Sequence, residues 1–136
     1  MFEELPKRHF GLIAADPPYR FRAGHSNRST ENRYPTMSLS GIKALPVMDL
    51  AAENCALMLW TSPPFLKESI EIMAAWKFRF VSIAFTWLKM KKHHSDEFFK
   101  RAVQLYPGPY LELFSRQQRP GWTSWGNQTE KFEAAA

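Results

Sequence analysis

Short, uninterrupted apolar runs alternate along the chain with stretches whose apolar residues recur every three or four positions. Apolar runs of about four to eight residues with polar borders predict strands buried on both faces, whereas the longer spacing predicts amphipathic helices. The alternating order of strands and helices is typical of a sheet covered by helices on both sides. The sequence therefore predicts an α/β fold with a single doubly wound, mostly parallel sheet. Its predicted strands are Phe10–Ala15, Cys55–Trp60, Phe80–Leu88 and Tyr110–Phe114, with one more short strand within 122–128.

Three helical stretches lie between these strands. A short helix at 39–45 comes first and is followed by an apolar turn at 47–52. Ser62 predicts the N-cap of a helix that runs to about Trp76, and Ser95 predicts the cap of the last helix. Each of these two helices has an apolar stripe that predicts contacts with the core. The stripe of the helix after Ser62 consists of Leu66, Ile70, Met73 and Ala74. That of the last helix consists of Phe98, Phe99, Ala102, Val103 and Tyr106.

Length and charge limit the classes of protein to which the chain can belong. Its 136 residues can bury one core and are too few for two ordinary domains, so residues 1–136 are predicted to form one domain. A net charge of +5 favours an anionic partner such as nucleic acid, although an excess of this size also occurs on proteins that bind none. The lone cysteine, Cys55, predicts a core thiol in a reducing cytosol. No apolar run approaches the roughly 18 residues needed to span a bilayer, so no membrane partner is predicted.

The tetrapeptide Asp16-Pro17-Pro18-Tyr19 follows the first predicted strand. Ligands of open α/β sheets bind at the carboxyl ends of the strands, so these residues are predicted to face a ligand. Two prolines remove two backbone donors and leave carbonyl acceptors beside a carboxylate and an aromatic ring. An amine that is conjugated to a ring can attack only in its pyramidal form, and hydrogen-bond acceptors on its two N–H bonds favour that form. A tyrosine can stack on the ring. The structural alternative is a strand that ends in a Pro-Pro turn with an exposed acid.

Residues 20–38 are polar, basic and without periodicity over most of their length. Long irregular stretches in compact domains are usually functional or disordered, and this one leaves directly from the tetrapeptide. It is predicted to be a mobile, substrate-facing loop, with a merely solvated loop as the alternative. The predicted nucleic-acid-binding residues are its arginines Arg20, Arg22, Arg28 and Arg33. Residues 130–136 are predicted to be a fraying tail.

Four stretches, in order along the chain, resemble the family of adenine-N(6) methyltransferases that includes the catalytic subunit of the messenger-RNA methyltransferase and its bacterial and phage DNA-modifying relatives. These stretches are Asp16–Tyr19, Leu59–Ser62, Pro107–Arg116 and Gly121–Gln128. The resemblance implies a Rossmann-like methyltransferase fold, S-adenosylmethionine as the cofactor, no metal, and a cytoplasmic enzyme of a bacterium or phage. It implies methyl transfer to the N(6) amine of adenine in nucleic acid. The compact build favours DNA over RNA, and an oligomer is compatible with it.

The resemblance also assigns roles to individual residues. Asp16 and the Pro17 carbonyl would accept hydrogen bonds from the amine, Tyr19 would stack on the base, and Asp16 with Pro18 would border the cofactor. The ribose and amino-acid ends of the cofactor would be held by forked donors and amides, namely Arg116, Asn127 and Gln128, with His94 at a position where a cofactor-contacting lysine often stands. Without the resemblance, a surface cation is the better explanation of Arg116 and an ordinary turn that of Asn127 and Gln128, and His94 could equally be a solvated residue.

The chain departs from the family between Met90 and Lys91, where relatives carry a hairpin or loop and a further sheet strand. Loss of a sheet strand would leave backbone donors and acceptors unpaired on its neighbours. Either the natural protein contains further residues here, or the deletion is real and a partner or a rearrangement covers the exposed edges. The second interpretation would favour a catalytically silent, nucleic-acid-binding or scaffolding relative. Methylation of a protein amide is disfavoured, because an asparagine is typical of that activity at the position of Asp16.

Overall fold

The computed structural model describes residues 1–20, 36–86 and 95–126 of the chain. Within these ranges lies a four-stranded sheet whose strands are all parallel and follow the order β2-β1-β3-β4. The strands are β1 (Phe10–Ala15), β2 (Ala51–Leu59), β3 (Tyr110–Leu113) and β4 (Trp122–Trp125). The predicted α/β fold with a parallel sheet is confirmed.

Three α-helices accompany the sheet in the described part of the chain. They are α1 (Leu39–Lys43), α2 (Leu66–Ala75) and α3 (Ser95–Leu105), and short 3-10 turns occupy Val47–Leu50 and Pro63–Phe65. The side chain of Ser38 caps α1 by accepting from the Gly41 N–H at 3.1 Å. Ser62, by contrast, makes no side-chain capping bond, since the 3-10 turn with its two prolines comes before α2.

Helices cover both faces of the sheet, and β1 is buried between them along its whole length. Successive side chains of a strand point to opposite faces. Ile13 therefore packs in the layer that contains Ile72 of α2, whereas its neighbour Leu12 packs with Met58 and with Ala102 of α3. This arrangement confirms the predicted doubly wound architecture and puts the carboxyl end of β1 at the centre of the sheet.

The strand predicted over Phe80–Leu88 is wrong for the part of it that the structure describes. Residues 80–86 form no strand, and 87–94 lie outside the described residues. Val81 is 76% exposed and Ile83 is 63% exposed. A strand needs a neighbouring backbone for its hydrogen bonds, and no described residue pairs with this stretch. The sequence has the composition of a strand here, but the described residues supply no strand that pairs with it.

The predicted core stripe of α2 is also largely wrong. Leu66, Ile70 and Ala74 are exposed, and the fully buried positions of the helix are Ser69 and Ile72. The buried face is therefore rotated from the predicted stripe, and the apolar side chains of that stripe face the region beside β2 that a further strand would cover. In α3 the prediction is partly correct, because Ala102 is buried and the two phenylalanines are half-buried, whereas Val103 and Tyr106 are exposed.

β2 lies at the edge of the described sheet and is only partly buried, although the sequence predicted a strand covered on both faces. Cys55 is accordingly half-buried instead of a core thiol. Even so, burial raises the pKa of Cys55 to about 11, and a backbone hydrogen bond from Ile13 opposes the rise only in part. The thiol is therefore a poor nucleophile at neutral pH.

Candidate active site

The order in which strands are added to the sheet changes side between the adjacent parallel strands β1 and β3. From β1 the chain moves outward to β2 on one side, and from β3 it moves outward to β4 on the other. A crevice for ligands forms at the carboxyl ends of parallel strands where the strand order reverses in this way. Ala15 pairs with Leu113, so the residues that follow β1 and β3 emerge next to each other. Asp16 and Arg116, both predicted from the sequence, are thereby brought to the same crevice.

Asp16 is held at the start of this crevice by its own backbone, whose N–H donates to the Leu113 carbonyl at 3.3 Å. The residue is exposed to solvent, although neighbouring protein atoms partly desolvate its carboxylate. This desolvation raises the pKa of Asp16, and the positive charge of Arg116 opposes that rise. In its ionised form the carboxylate accepts hydrogen bonds on both oxygens.

The sequence suggested that the carbonyl oxygens of the two prolines are free acceptors, but in the structure each already accepts a hydrogen bond. The Pro17 carbonyl accepts from the Tyr19 N–H at 2.8 Å, and the Pro18 carbonyl accepts from the Met37 N–H at 2.9 Å. The second bond belongs to an isolated bridge between Tyr19 and Met37, which ties both ends of segment 20–36 together. Each carbonyl oxygen has two lone pairs, so each can still accept one further donor.

The ring of Tyr19 is buried, whereas a base-stacking role predicted an accessible ring. Only 8% of the residue is exposed, and its ring stacks on Phe65 with the centroids 5.9 Å apart. Its hydroxyl donates to the Trp60 carbonyl at 2.8 Å and lies 3.3 Å from Ser69 Oγ. Burial raises the pKa of Tyr19 to about 12, so the phenol remains a donor at physiological pH. In this conformation Tyr19 anchors the tetrapeptide to β2 and α2.

Sequence analysis missed Ser69, which completes this anchor. Its Oγ donates to the Phe65 carbonyl at 2.9 Å and lies 2.6 Å from Thr61 Oγ1, within hydrogen-bond distance, and the residue is only 2% exposed. A signal was present in the sequence, because Ser69, Ile72 and Trp76 recur at helical spacing and form the buried face of α2. A serine within such a stripe predicts a buried hydrogen bond.

A cluster at the carboxyl end of β3 holds the turn that carries Arg116. Ser115 is buried, its N–H donates to the Trp125 carbonyl at 3.0 Å, and its hydroxyl donates to Glu112 at 3.1 Å. Arg119 Nε donates to the same carboxylate at 3.3 Å, and the guanidinium lies 3.7 Å from the ring centroid of Phe99 in α3. The turn is thus fixed to both the sheet and a helix.

The electrostatics of this cluster extend to Asp16. Burial raises the pKa of Glu112, Arg119 is the largest influence that lowers it, and the negative charge of Asp16 raises it further. Two carboxylates and two guanidinium groups therefore share the carboxyl edge of β1 and β3. Sequence analysis missed Glu112, Ser115 and Arg119, because their roles depend on contacts between residues of one turn that have no characteristic spacing.

Gly126 allows the end of β4 to lie against the same turn. A Cβ at this position would lie 2.2 Å from the Ser115 carbonyl oxygen and 2.6 Å from the Ser115 nitrogen, closer than real Cβ atoms come to backbone. Only glycine fits without a shift of the backbone. Arg20 is exposed beside the tetrapeptide. The other predicted site residues lie outside the described residues and are Arg22, Arg28, Arg33, His94, Asn127 and Gln128.

The sequence profile of the family described as MT-A70 matches residues 10–105, which include the tetrapeptide, β1, β2 and all three helices. The chain belongs to the MT-A70 family. The family and the enzyme class predicted from the sequence, adenine-N(6) methyltransferases, are thereby confirmed.

Three relatives of this MT-A70 chain differ in the share of their own length that it covers. The Type II methyltransferase M.MunI of Mycoplasma sp is 26% identical over 187 aligned positions, which cover 93% of this chain and 80% of the relative. The N(6)-adenine-specific methyltransferase METTL4 of Homo sapiens is 26% identical over 194 positions, and that of Mus musculus is 24% identical over 191. These alignments cover 93% and 91% of this chain but only 39% and 38% of the METTL4 proteins.

Each alignment is longer than the part of this MT-A70 chain that it covers. The matched 93% of 136 residues is about 126 residues, whereas the alignment with M.MunI has 187 positions, so about 60 positions have no residue in this chain. The same arithmetic leaves about 68 such positions in the 194-position alignment with human METTL4. The relatives therefore contain internal residues that this chain lacks, and the place predicted for the shortfall, between Met90 and Lys91, stays a prediction.

The described part of the chain offers neither a cluster of metal ligands nor a helix that could span a membrane. Residues 1–20, 36–86 and 95–126 contain no group of three His, Cys, Asp or Glu side chains that could hold a metal ion. None of the helices in those ranges is both long enough and apolar enough to cross a bilayer.

Proposed function

We propose that this MT-A70 chain transfers the methyl group of S-adenosylmethionine to the exocyclic N(6) amine of adenine in DNA. The observation that carries the proposal is the convergence of Asp16 and Arg116 at the carboxyl ends of β1 and β3, where the strand order reverses. The relatives support the adenine amine, since METTL4 is named as N(6)-adenine-specific. The chain covers 80% of the type II methyltransferase but 39% of human METTL4, so the shorter protein is the better guide, and DNA is preferred to RNA.

Asp16 is the group that we assign to the reacting amine. The lone pair of the adenine amine is delocalised into the ring, and hydrogen bonds from its two N–H groups to acceptors favour the pyramidal form whose lone pair can attack. Asp16 offers an exposed carboxylate, and the Pro17 carbonyl retains a second lone pair for the other N–H. After transfer the amine must lose a proton, and Asp16 can pass it to water because its carboxylate reaches solvent.

The groups around the crevice fit the chemistry of S-adenosylmethionine. When bound, this cofactor supplies an electrophilic methyl group on a sulfonium. Arg116 is exposed beside Asp16 and offers a forked donor for a carboxylate or for ribose hydroxyls. Gly126 lets the end of β4 pack directly against the turn that carries Arg116, which fixes that turn beside the crevice. We assign the remaining cofactor contacts to Pro18, His94, Asn127 and Gln128.

Nucleic acid is the proposed partner because the chain is basic and Arg20 is exposed directly after the tetrapeptide. Phosphate contacts from lysine and arginine supply affinity through the release of counterions. We assign these contacts to Arg20, Arg22, Arg28 and Arg33. A cytoplasmic location in a bacterium or in a phage-infected cell is part of the same proposal, because its DNA substrate lies there.

Incubation of the full chain with methyl-labelled S-adenosylmethionine and separate pools of unmethylated DNA and RNA tests both the reaction and the polymer. Digestion to nucleosides is expected to give the label in N(6)-methyl-2′-deoxyadenosine. Label confined to RNA nucleosides would contradict the choice of DNA, and label on cytosine would contradict the choice of the adenine amine. No label in either pool would contradict the proposed enzyme.

A catalytically silent, nucleic-acid-binding or scaffolding relative is the second candidate. The observation that favours it is the outer edge of β2, which pairs with no strand of the described part of the chain and is only partly buried. Thermal unfolding with and without S-adenosylhomocysteine separates the two functions. A ligand at a hundredfold excess over its Kd stabilises the folded state by about 2.7 kcal/mol, so an intact pocket gives a clear rise in Tm. An unchanged Tm would support the silent relative.

A further inference from the structure

Phe114 directly follows β3 and has a backbone conformation that its side chain disfavours. Its φ is 63°, in the left-handed region. A residue other than glycine is uncommon there, and a bulky one is an outlier. Such residues persist only where the surrounding structure holds them, and they cluster at functional sites. Because Phe114 precedes the turn that carries Arg116, its conformation sets the direction in which that turn leaves the sheet.

Contacts with β4 and its exit hold Phe114 in this conformation. Its ring lies edge-on to the ring of Trp125, with the centroids 5.5 Å apart. Trp125 in turn meets the buried ring of Phe2, with the centroids 5.0 Å apart. The carbonyl carbon of Phe114 lies against Gly126, where a Cβ would approach it to 3.0 Å. Both the ring and the backbone of Phe114 are therefore packed in place.

The two neighbours of Arg116 in the chain are bonded to each other. Ser115 Oγ accepts from the Gln117 N–H at 3.3 Å, and the Ser115 N–H donates to the Trp125 carbonyl at 3.0 Å. The backbone of Arg116 is thus held on both sides. The place of Arg116 relative to the sheet therefore follows from the bend at Phe114.

The register of the sheet shows what this bend achieves. Leu113 is level with Ala15 of β1. If the chain stayed extended after Leu113, Arg116 would be level with Pro18. A strand rises about 3.3 Å per residue, so Arg116 would lie about 7 Å beyond the level of Asp16. In the structure the positive charge of Arg116 acts on Asp16.

We propose that Phe114 is a positioning residue, whose left-handed backbone conformation bends the chain so that Arg116 lies beside Asp16 at the ligand crevice. The inference rests on the proposed function in so far as Arg116 is assigned to S-adenosylmethionine. The strained conformation is retained because it brings the cation and the carboxylate to one place, and the packing on Trp125 holds it there.

A pair of substitutions at Phe114 separates its backbone from its ring. Glycine adopts a positive φ freely, whereas the β-branched valine tolerates it least. Both changes remove the ring. The apparent affinity of a protein falls with the fraction of it that is competent to bind, so in calorimetry we expect Phe114→Val to raise the Kd for S-adenosylhomocysteine by about tenfold or more. Phe114→Gly should bind about threefold or more tightly than Phe114→Val. Circular dichroism checks the fold, and Phe114→Ala takes the place of Phe114→Val if the latter does not fold.

The titration of Asp16 in the ligand-free chain is a second readout, which is independent of the cofactor. The charge of Arg116 opposes the rise in the pKa of Asp16, so Arg116→Ala should raise that pKa further. Phe114→Val should shift the pKa in the same direction, and Phe114→Gly should stay closer to the wild type. Glu112 and Tyr19 also interact electrostatically with Asp16, and carbon-13 NMR follows the three groups separately.

Lys77 is the matched control, because its φ is 68° and it lies after the far end of α2, eight positions beyond Ser69. Lys77→Val introduces the same backbone conflict away from the crevice. It should lower Tm without changing the Kd or the titration of Asp16.

A folded Phe114→Val variant with the wild-type titration of Asp16 would overturn the proposal. So would a Phe114→Gly variant that binds as weakly as Phe114→Val, since the ring would then be responsible, or an equal effect of Lys77→Val. If the wild type binds no S-adenosylhomocysteine while Phe114→Val still shifts the titration of Asp16, the proposed function is wrong and the positioning role of Phe114 is supported.

Discussion

Tyr19→Phe distinguishes an anchoring role for Tyr19 from a base-stacking role. The variant keeps the ring and its contact with Phe65 but removes the hydroxyl that donates to the Trp60 carbonyl at 2.8 Å and lies 3.3 Å from Ser69. Ser69 keeps its bonds to Thr61 and to the backbone. A buried hydrogen bond contributes about 1 kcal/mol net, so the free energy of unfolding should fall by about that amount. For a chain of this size we expect Tm to fall by about 3–5 °C.

Thermal unfolding followed by circular dichroism at neutral pH measures this effect. Tyr19→Ala also removes a buried aromatic ring and should cost about 3–5 kcal/mol. Tyr110→Phe is the matched control, since its hydroxyl donates to the Tyr106 carbonyl at 2.8 Å but in an exposed setting, and little change is expected. An unchanged Tm for Tyr19→Phe, or an equal loss for Tyr110→Phe, would refute the anchor. Weaker DNA binding by Tyr19→Ala, which lacks the ring, at unchanged Tm would instead support base stacking.

The pH dependence of stability gives an independent check on Tyr19. Its pKa is about 12 in the folded protein, against an ordinary value of 10.0, because burial disfavours the phenolate. Between these pKa values the folded state keeps a proton that the unfolded state has released. The free energy of unfolding therefore falls as the pH rises above about 10. Tyr19→Phe lacks this component, so its stability deficit relative to wild type should shrink in that window.

Three further changes test other parts of the site. Gly126→Ala should lower the free energy of unfolding by about 1–3 kcal/mol and weaken S-adenosylhomocysteine binding, because the new Cβ would lie 2.2 Å from a backbone oxygen. In the control Gly41→Ala the new Cβ would meet a side-chain oxygen at 3.2 Å, so only a small change is expected. Thermal unfolding measures the first effect and titration calorimetry the second. Charge reversal at Arg22 and Arg28 should make DNA binding less dependent on salt. The plot of the logarithm of the binding constant against the logarithm of the salt concentration should become shallower by a slope of about 0.9 for each lost phosphate contact, and an unchanged slope would contradict their role. Cys55, with a pKa of about 11, should be alkylated slowly at neutral pH until the protein unfolds, and rapid labelling of the native chain would show this to be wrong.

The sequence predicted β1, β3, β4 and α3 well because each has a strong local pattern with clear borders. It also predicted that Asp16 and Arg116 would belong to one site, and the structure brings them together because strands of a parallel sheet end at the same edge. Local sequence patterns did not predict the strand order β2-β1-β3-β4, because strand order depends on contacts between residues that are distant in the sequence.

The errors concentrate around the uncovered side of β2. Residues 80–86 have strand-forming side chains, but strand formation also requires a neighbour, and local sequence does not show whether one exists. For the same reason the stripe of Leu66 and Ile70 was interpreted as core, although both residues are exposed. The sequence motif identified Tyr19 but not the residues that surround its ring. Phe65 and Ser69 contact Tyr19 and are 46 or more positions away in the sequence, so a local motif does not show them.

Single-turnover methyl transfer to adenine in DNA by the wild-type chain and by Asp16→Ala, at saturating S-adenosylmethionine, tests the proposed catalytic role most directly. The wild type is expected to form N(6)-methyl-2′-deoxyadenosine. Removal of one polar group aligned with the reacting amine should slow the reaction by about a hundredfold or more, with the fold preserved because Asp16 is exposed at a strand exit. A folded Asp16→Ala variant that transfers methyl at nearly the wild-type rate would contradict the role of Asp16, and a wild-type chain that binds S-adenosylmethionine yet methylates no adenine would contradict the proposed reaction.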